Sequence, residues 1–459
     1  MRIALACIAL FATAAAADPC GMVPPIYPGG QMVPIVRTGA QRTYAFYKDG
    51  VETYVIRPGF TGKAEEFGML IPFPSPPALR KVPDEVFLHM SAAIDPPEVI
   101  VDLRPMPPML EADAPAMAGA VEEKSIANER PLKYDEVKVI NQEAVGMYEV
   151  ATLAAGSAEA LNKWMTQHGF MYPKGMDAVV NDYVKLQWVF VAEKTKVGSK
   201  ENADPKPGMK TVNPSLPSNA QFDGFVQAMG FRFKTDKPSL PMRLSPFNEG
   251  DNRQVIYFLT DQPIKFDDVS TALIKRQVPG WRLLKNVTHK LPLRILGGTP
   301  ANVTKEILAQ VQPMRDPKPY NGHAKDLLAS DLLALKTGQL SLDFEEKEKE
   351  LLRIGEAFAI RGPEIDALHE AHGEIERDKA AQLALGSLEG YWLTVFDGAF
   401  PIDVLKAHDL TFSKHVMPVK ENLRTKYDAK QGEVAATIPG YGYGWWGGDP
   451  NEGIRWEAP

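Results

Sequence analysis

Four side chains near residue 370 have the types and the spacing of a metal site. They stand at positions i, i+3, i+6 and i+10 of a predicted helix and share one broad face: Asp366, His369, His372 and Glu376. Imidazole and carboxylate groups at helical spacing could hold zinc. The stretch from His369 to His372 is one residue shorter than the HExxH motif of metalloproteases, so that motif is excluded.

The same helix offers a plainer interpretation of His372. An apolar stripe formed by Ile365, Leu368 and Ile375 also contains His372, which favours a core histidine satisfied by hydrogen bonds. We therefore interpret His372 as structural. The metal site remains the alternative, in which His369 and His372 would mark the active site of a hydrolase.

A second candidate is the glycine-rich aromatic segment at residues 440–448. Four rings could stack on the sugar rings of a glycan, because rigid amphipathic faces are common in binding surfaces: Tyr441, Tyr443, Trp445 and Trp446. The alternatives are a tail that docks on its own domain and a disordered end. The sequence contains no GxSxG elbow and no Walker or Rossmann spacing, so it identifies no catalytic residue and no cofactor.

The composition is that of a soluble globular protein and excludes several classes. Hydrophobic residues make up 44% and charged residues 24% of the 459 residues, so the chain can bury a sizeable core. The net charge of −7 argues against a nucleic-acid partner, which would require a basic stripe. Two cysteines are too few for a disulfide scaffold or a cysteine-rich zinc module.

The first 17 residues have the pattern of a secretory signal peptide. Arg2 supplies the positive charge, residues 3–12 the apolar core, and residues 15–17 the small-residue cleavage site. We expect a periplasmic or extracellular protein whose mature chain begins at Asp18. No later stretch reaches about 18 uninterrupted apolar residues, so no integral membrane segment is expected after cleavage.

Cleavage would leave Cys20 as the lone cysteine of the mature chain. Lipidation and an intermolecular disulfide are two interpretations of such a residue. We favour a third, in which Cys20 is a small residue packed under the first strand.

The sequence predicts an α+β fold. It comprises a β-rich N-terminal part, a central mixed or antiparallel sheet with helices on one face, and a mainly helical C-terminal part. The predicted segments are a signal peptide (1–17), a β-rich domain (18–104), a flexible proline-rich linker (105–131), an α+β domain (132–300), a helical region (301–438) and a glycine/aromatic tail (439–459). A second flexible, proline-containing segment is predicted at residues 198–219.

Local signals place the first strands. Two β-prone runs, 43–47 and 51–56, flank Asp49-Gly50, a dipeptide favoured in hairpin turns. A third strand is predicted at residues 67–73. Because Pro72 and Pro74 cannot donate ladder hydrogen bonds, this strand should end or bulge there, or lie at an edge.

Capping signals place the helices. Ser157 is the predicted N-cap of a helix over residues 158–168, and Thr299 that of a helix from Pro300 to about Val311. Longer helices are predicted at 344–358 and 364–385. Further strands are predicted at 137–140, 148–153, 186–191, 225–233, 242–246 and 254–260.

Four segments form an ordered set along the chain: Tyr54 to Pro77; Tyr148 to Val191, which includes Tyr183 and Trp188; Leu240 to Leu244 followed by Val255 to Tyr257; and Tyr391 to Thr394 continuing through Asp409 to Phe412. As a set they resemble a bacterial exported family, DUF2330, a domain of unknown function. Together they span most of the mature chain. The resemblance implies an exported bacterial protein and assigns no catalytic residue or ligand.

These observations predict a non-enzymatic binding or scaffolding protein of the bacterial cell envelope, with a glycan or a protein as its partner. The alternative is an exported hydrolase, with or without a metal at its active site.

Overall fold

The structure is a computed structural model, which describes residues 35–37, 40–57, 59–62, 68–83, 85–103, 137–145, 148–168, 170, 172–195, 222–225, 228–238, 240–247, 253–296, 304–338, 340, 382–419, 426–428, 433–435 and 454–457. The strands are β1 (Ile35–Arg37), β2 (Gln41–Lys48), β3 (Val51–Arg57), β4 (Gly59–Gly62), β5 (Gly68–Phe73), β6 (Ala78–Lys81), β7 (Val99–Asp102), β8 (Val137–Val145), β9 (Tyr148–Ala155), β10 (Val189–Thr195), β11 (Phe222–Phe225), β12 (Met229–Lys234), β13 (Arg253–Thr260), β14 (Ile264–Phe266), β15 (Ile274–Pro279), β16 (Leu293–Leu296), β17 (Trp392–Ala399), β18 (Phe412–Lys414), β19 (Lys426–Asp428), β20 (Glu433–Ala435) and β21 (Ile454–Glu457). The helices are α1 (Val86–Ile94), α2 (Ala158–Gln167), α3 (Asp177–Lys185), α4 (Gly280–Thr288), α5 (Lys305–Val311), α6 (Lys318–Thr337) and α7 (Ile402–Ala407).

The largest sheet has seven strands in the order β15-β17-β13-β2-β3-β12-β6. β2 and β13 run parallel, and every other neighbouring pair is antiparallel, so the sheet is mixed. Strands from the predicted segments 18–104, 132–300 and 301–438 all contribute to it. The fold is therefore α+β, whereas the predicted domain boundaries stay predictions.

A second, antiparallel sheet has four strands in the order β5-β10-β9-β8. β5 lies at its edge and ends at Phe73, just before Pro74, as its prolines predict. Helices α2 and α3 cover one face of this sheet, where Leu161 and Val180 pack in one cluster with Leu70 and Phe190.

The two sheets pack face to face. Side chains along β5 point alternately to its two faces. Met69, Ile71 and Phe73 point into the core between the sheets, whereas Leu70 points to the face that α2 and α3 cover. There the Phe73 ring lies 4.9 Å from the ring of Phe231 on β12. Burying each such side chain contributes about 1.5–3 kcal/mol.

The outer face of the seven-stranded sheet is covered by α1, α4 and α6. Phe87, Leu283 and Leu328 of these helices pack in one cluster with Val255 and Tyr257 of β13. The described core therefore has four layers in the order helix, sheet, sheet, helix.

The strongest local signals are confirmed. Asp49 and Gly50 connect β2 to β3 with φ angles of 46° and 81°, as a tight hairpin turn requires. Ser157 caps α2, since its hydroxyl oxygen accepts a hydrogen bond from the Ala160 amide at 3.1 Å.

Three predicted elements are wrong in type or in position. Residues 242–246 form no strand; Ser245–Phe247 is a short 3-10 helix instead, and Pro246 lacks the N–H that a ladder needs. The helix predicted from Pro300 begins at Lys305, where Thr304 is the N-cap. The strand predicted at 186–191 begins only at Val189, because Gln187 adopts a left-handed turn with φ 59°.

The strand β17 was not predicted. Its segment falls in the region predicted to be mainly helical, yet it pairs with β13 and β15 within the large sheet. Tertiary contacts with these two strands therefore decide the conformation of this segment.

Several predictions concern residues outside the described ranges and stay predictions: the signal peptide (1–17), Cys20, the linker (105–131), the stretch 198–219, the helix at 344–358 and most of the helix at 364–385. Within the described ranges, no helix is both long enough and apolar enough to cross a membrane.

A buried ionic network joins α6 to the seven-stranded sheet. The Asp331 carboxylate is fully buried and accepts hydrogen bonds from Tyr44 and Thr53, each at 2.7 Å. Arg232, only 1% exposed, donates to the same carboxylate at 2.5 Å and to the Ser330 hydroxyl at 2.8 Å. The network ties helix α6 to β2, β3 and β12 at one point.

Candidate functional site

A polar and aromatic cluster surrounds Tyr183 on the outer side of the four-stranded sheet. Tyr183 lies in the last turn of helix α3, which ends at Lys185. The left-handed turn at Gln187 then reverses the chain, so that the Trp188 amide donates to the Tyr183 carbonyl at 3.0 Å. The two rings stack with their centroids 4.8 Å apart. Tyr183 is buried, whereas Trp188 is partly exposed and its neighbour Leu186 is 60% exposed.

A second segment brings a carboxyl group to the cluster. The Tyr183 hydroxyl donates to Asp409 Oδ1 at 2.5 Å. Asp409 lies in the short connection between α7 and β18. Its neighbour Leu410 forms a β-bridge with Leu240, which brings residues near 240 and near 410 together.

Arg243 completes the cluster from the same side. Its guanidinium donates to Asp182 Oδ2 at 2.8 Å, and its central carbon lies 5.8 Å from the centroid of the Tyr183 ring. We define the Tyr183 cluster as Asp182, Tyr183, Trp188, Arg243 and Asp409. All of these except Tyr183 are partly exposed.

The environment raises the pKa of two acidic groups in the cluster and lowers that of a third. Burial raises the pKa of Asp409 to about 6, although the hydrogen bond from Tyr183 and the charges of Arg243 and His408 oppose that rise. Burial, followed by the charge of Asp409, raises the pKa of Tyr183 well above its ordinary value. The hydrogen bond from Arg243 lowers the pKa of Asp182.

This arrangement can do two things chemically. A carboxyl group that titrates near pH 6 can take up or release a proton under mild conditions. A partly exposed tryptophan, stacked on a tyrosine that also contacts a carboxyl group and a guanidinium, can bind a ligand that has an apolar face and several hydroxyl groups.

The residues singled out from the sequence lie elsewhere or outside the described ranges. The metal candidates Asp366, His369, His372 and Glu376 and the aromatic candidates Tyr441, Tyr443, Trp445 and Trp446 belong to the undescribed part, so both sites stay predictions. Among the described residues, no group of three or more His, Cys, Asp or Glu side chains could hold a metal ion.

Sequence reasoning missed the Tyr183 cluster as a site. Tyr183 and Asp409 are separated by 226 residues, so no local spacing links them. The signal that existed was the resemblance, because Tyr183 and Trp188, Arg243, and Asp409 belong to three of the four segments that carry it.

Tyr183→Phe is expected to raise the pKa of Asp409 further, because the carboxylate loses the hydrogen bond that stabilises its charged form. Loss of this bond should also cost about 1–3 kcal/mol of stability. Carbon-13 NMR titration of the aspartate carboxyl groups measures the first effect. Tyr320→Phe, at an exposed tyrosine, is the control; an unchanged midpoint for Asp409 in Tyr183→Phe would contradict the described geometry.

Comparison with known proteins identifies a family but no activity. No curated protein and no solved structure matches the chain. The profile of a family described as "Uncharacterized protein conserved in bacteria (DUF2330)" matches residues 15–283, which is more than half of the chain. That range includes Tyr183, Trp188 and Arg243. Because the profile covers more than half of the chain, the chain belongs to the DUF2330 family of uncharacterised bacterial proteins.

Proposed function

We propose that this protein is exported and acts in the bacterial cell envelope by binding a glycan at the Tyr183 cluster. Export is supported by the signal-peptide pattern of residues 1–17. The observation that carries the binding role is the partly exposed Trp188 ring, which stacks on Tyr183, the same residue whose ring Arg243 faces.

The chemistry of the cluster suits a sugar. The C–H face of a pyranose ring stacks on an aromatic ring such as that of Trp188. Sugar hydroxyl groups both donate and accept hydrogen bonds, and Asp409 and Arg243 supply an acceptor and a donor. Because Trp188 and Tyr183 are held by the turn at the end of α3, the binding surface is formed before the ligand arrives.

The first test is localisation and processing. We expect the exported protein to be recovered from the periplasm or the medium with an intact mass that corresponds to a chain beginning at Asp18. Exported protein that still carries residues 1–17 would contradict this part of the proposal.

The second test is binding to purified peptidoglycan or envelope polysaccharide. Trp188→Ala should weaken binding about tenfold, which corresponds to the loss of about 1.4 kcal/mol of stacking. Trp281→Ala is the matched control, because Trp281 is 54% exposed on α4 in the opposite helix layer. Both variants should first be shown to melt cooperatively.

Two results would contradict the binding proposal. One is equal binding by Trp188→Ala and Trp281→Ala, and the other is the absence of binding by the wild-type protein to any envelope polysaccharide. In the second case a scaffolding role with a protein partner would take precedence.

An exported hydrolase is the second candidate. The observation that favours it is Asp409, whose pKa near 6 suits a general acid, beside the exposed side chain of His408. Release of reducing sugar by the wild-type protein, abolished in Asp409→Asn, would favour this candidate over binding alone.

A further inference from the structure

Two imidazole rings meet where helix α1 packs against helix α6. His89 of α1 and His323 of α6 stack with their ring centroids 4.8 Å apart and an angle of 10° between their planes. The backbone amide of His323 donates a hydrogen bond to His89 Nδ1 at 3.0 Å. Both side chains are partly exposed, so protons can reach them from the solvent.

The hydrogen bond requires the neutral form of His89. Because an amide N–H group can only donate, Nδ1 of His89 has to accept, and the proton of the neutral ring lies on Nε2. Protonation of Nδ1 would bring two N–H donors face to face and would place a positive charge beside the stacked ring of His323. The contact therefore suits the neutral imidazole and opposes the imidazolium.

The surroundings of His89 act on its charge in both directions. Burial, followed by the charge of His323, lowers the pKa of His89 below its ordinary value of 6.5, whereas the negative charge of Glu85 opposes that change. The position of this pair between two helices therefore couples the protonation of His89 to the packing of α1 on α6.

Two further elements pack against α1, namely α4 and β19. Helix α4 contacts the C-terminal end of α1, where the side chain of Asn286 donates to the Ala93 carbonyl at 2.8 Å. The charged residues of α4, β19, the adjoining turn of α6 and the segment before α1 are the same in every protein compared below, so none of them can cause a difference between those proteins: Arg282, Lys285, Lys426, Asp428, Lys325, Asp326 and Asp84.

The two helices also share an apolar contact. Phe87 and Met90 of α1 pack in one cluster with Leu327 and Leu328 of α6, and none of the four side chains is more than 3% exposed. Separation of the helices would expose this apolar surface to solvent.

We propose that His89 and His323 make the contact between α1 and α6 sensitive to acid. At neutral pH the hydrogen bond and the ring stack hold the N-terminal part of α6 against α1. Uptake of a proton by His89 Nδ1 breaks the hydrogen bond and loosens the two helices, which exposes part of the apolar contact. This device lies in the helix layer over the seven-stranded sheet and does not depend on glycan binding at the Tyr183 cluster.

The direction of the effect follows from proton binding. Because the folded contact lowers the pKa of His89, the separated helices bind more protons than the packed ones. The contribution of the contact to stability is present above pH 6.5 and is lost as pH falls through the lower, folded pKa. Within that interval, the equilibrium between packed and separated helices changes by up to about tenfold per pH unit.

The test is hydrogen–deuterium exchange of the full mature chain at about pH 7.5 and about pH 5, with each rate divided by the intrinsic rate at that pH. Peptides that cover Val86–Ile94 and the N-terminal half of α6 should lose protection at the lower pH. Peptides from β9, in the other sheet, should keep theirs.

Variants decide whether the histidines are responsible. His89→Asn keeps an acceptor, because the asparagine Oδ1 can take the place of Nδ1, but it cannot be protonated; its protection should be the same at both pH values. His323→Gln keeps the backbone amide but removes the neighbouring charge, so it should weaken the response to acid. His289→Asn, at an exposed histidine at the end of α4, should respond like the wild type.

Two results would overturn the proposal. One is equal protection of α1 and α6 in the wild type at both pH values, and the other is the same loss at low pH in His89→Asn as in the wild type. If His89→Asn does not fold, the comparison of His323→Gln with His289→Asn decides, and equal responses of these two variants to acid would overturn the proposal.

Discussion

Asp331→Ala is expected to lower the free energy of unfolding by about 3–5 kcal/mol. The substitution leaves the buried guanidinium of Arg232 without its counter-charge and the hydroxyls of Tyr44 and Thr53 without their acceptor. Because those groups stay buried, each bears its desolvation cost without compensation. Urea denaturation followed by circular dichroism measures the change.

A double variant separates the ion pair from simple loss of packing. Asp331→Ala combined with Arg232→Met removes both charges and should be less destabilised than the sum of the two single variants. Asp403→Asn, at an exposed aspartate, should change stability by less than about 0.5 kcal/mol. If Asp331→Ala also falls within that range, the buried network contributes little to the stability of the fold.

Glu193→Gln is expected to remove a pH dependence of stability between about pH 5 and pH 8. Glu193 is fully buried in the core between the sheets, and neither of its carboxyl oxygens has a hydrogen-bond partner among the described residues. Its strand neighbours on β5 and β9 are Met69 and Val150. Burial alone raises the pKa of Glu193 from 4.5 to about 8.

The direction of the effect follows from proton binding. Between the two pKa values the folded protein keeps a proton that the unfolded chain releases, so stability falls as pH rises. The contribution of the protonated Glu193 to stability is fully present below pH 4.5. It declines by about 1.4 kcal/mol per pH unit and is lost once the pH has passed the folded pKa of about 8. The total is on the order of 5 kcal/mol.

Urea denaturation at several pH values checks this prediction. As pH rises, the free energy of unfolding of Glu193→Gln should increase steadily relative to that of the wild type. Glu389→Gln, at an exposed position, should show the same pH dependence as the wild type. Parallel curves for wild type and Glu193→Gln would show that Glu193 ionises normally in the folded protein.

The sequence predicts those features whose causes are local. Asp49-Gly50 selects a hairpin turn whatever surrounds it, and Ser157 caps α2 through an amide three residues away. The edge position of β5 follows from Pro72 and Pro74, which lack the N–H group. These elements were therefore predicted within a few residues.

The remaining features depend on partners that are distant in the chain. Asp331 meets Arg232 across 99 residues, and Tyr183 meets Asp409 across 226 residues, so neither contact leaves a local pattern. β17 becomes a strand because β13 and β15 offer it hydrogen bonds on both sides. Part of the candidate site was nevertheless signalled, since its residues fall in segments that resemble the family.

The parallel pairing of β2 with β13 has a consequence for the order in which the protein folds. β2 and β3 can form their hairpin as soon as they leave the ribosome, but the other edge of β2 has to wait for a strand roughly 200 residues further along. Until then an apolar strand edge is open to pairing with other chains. A chain cut before residue 253 would keep that edge open permanently, so we expect such fragments to aggregate, and productive folding to begin only after most of the polypeptide has been synthesised.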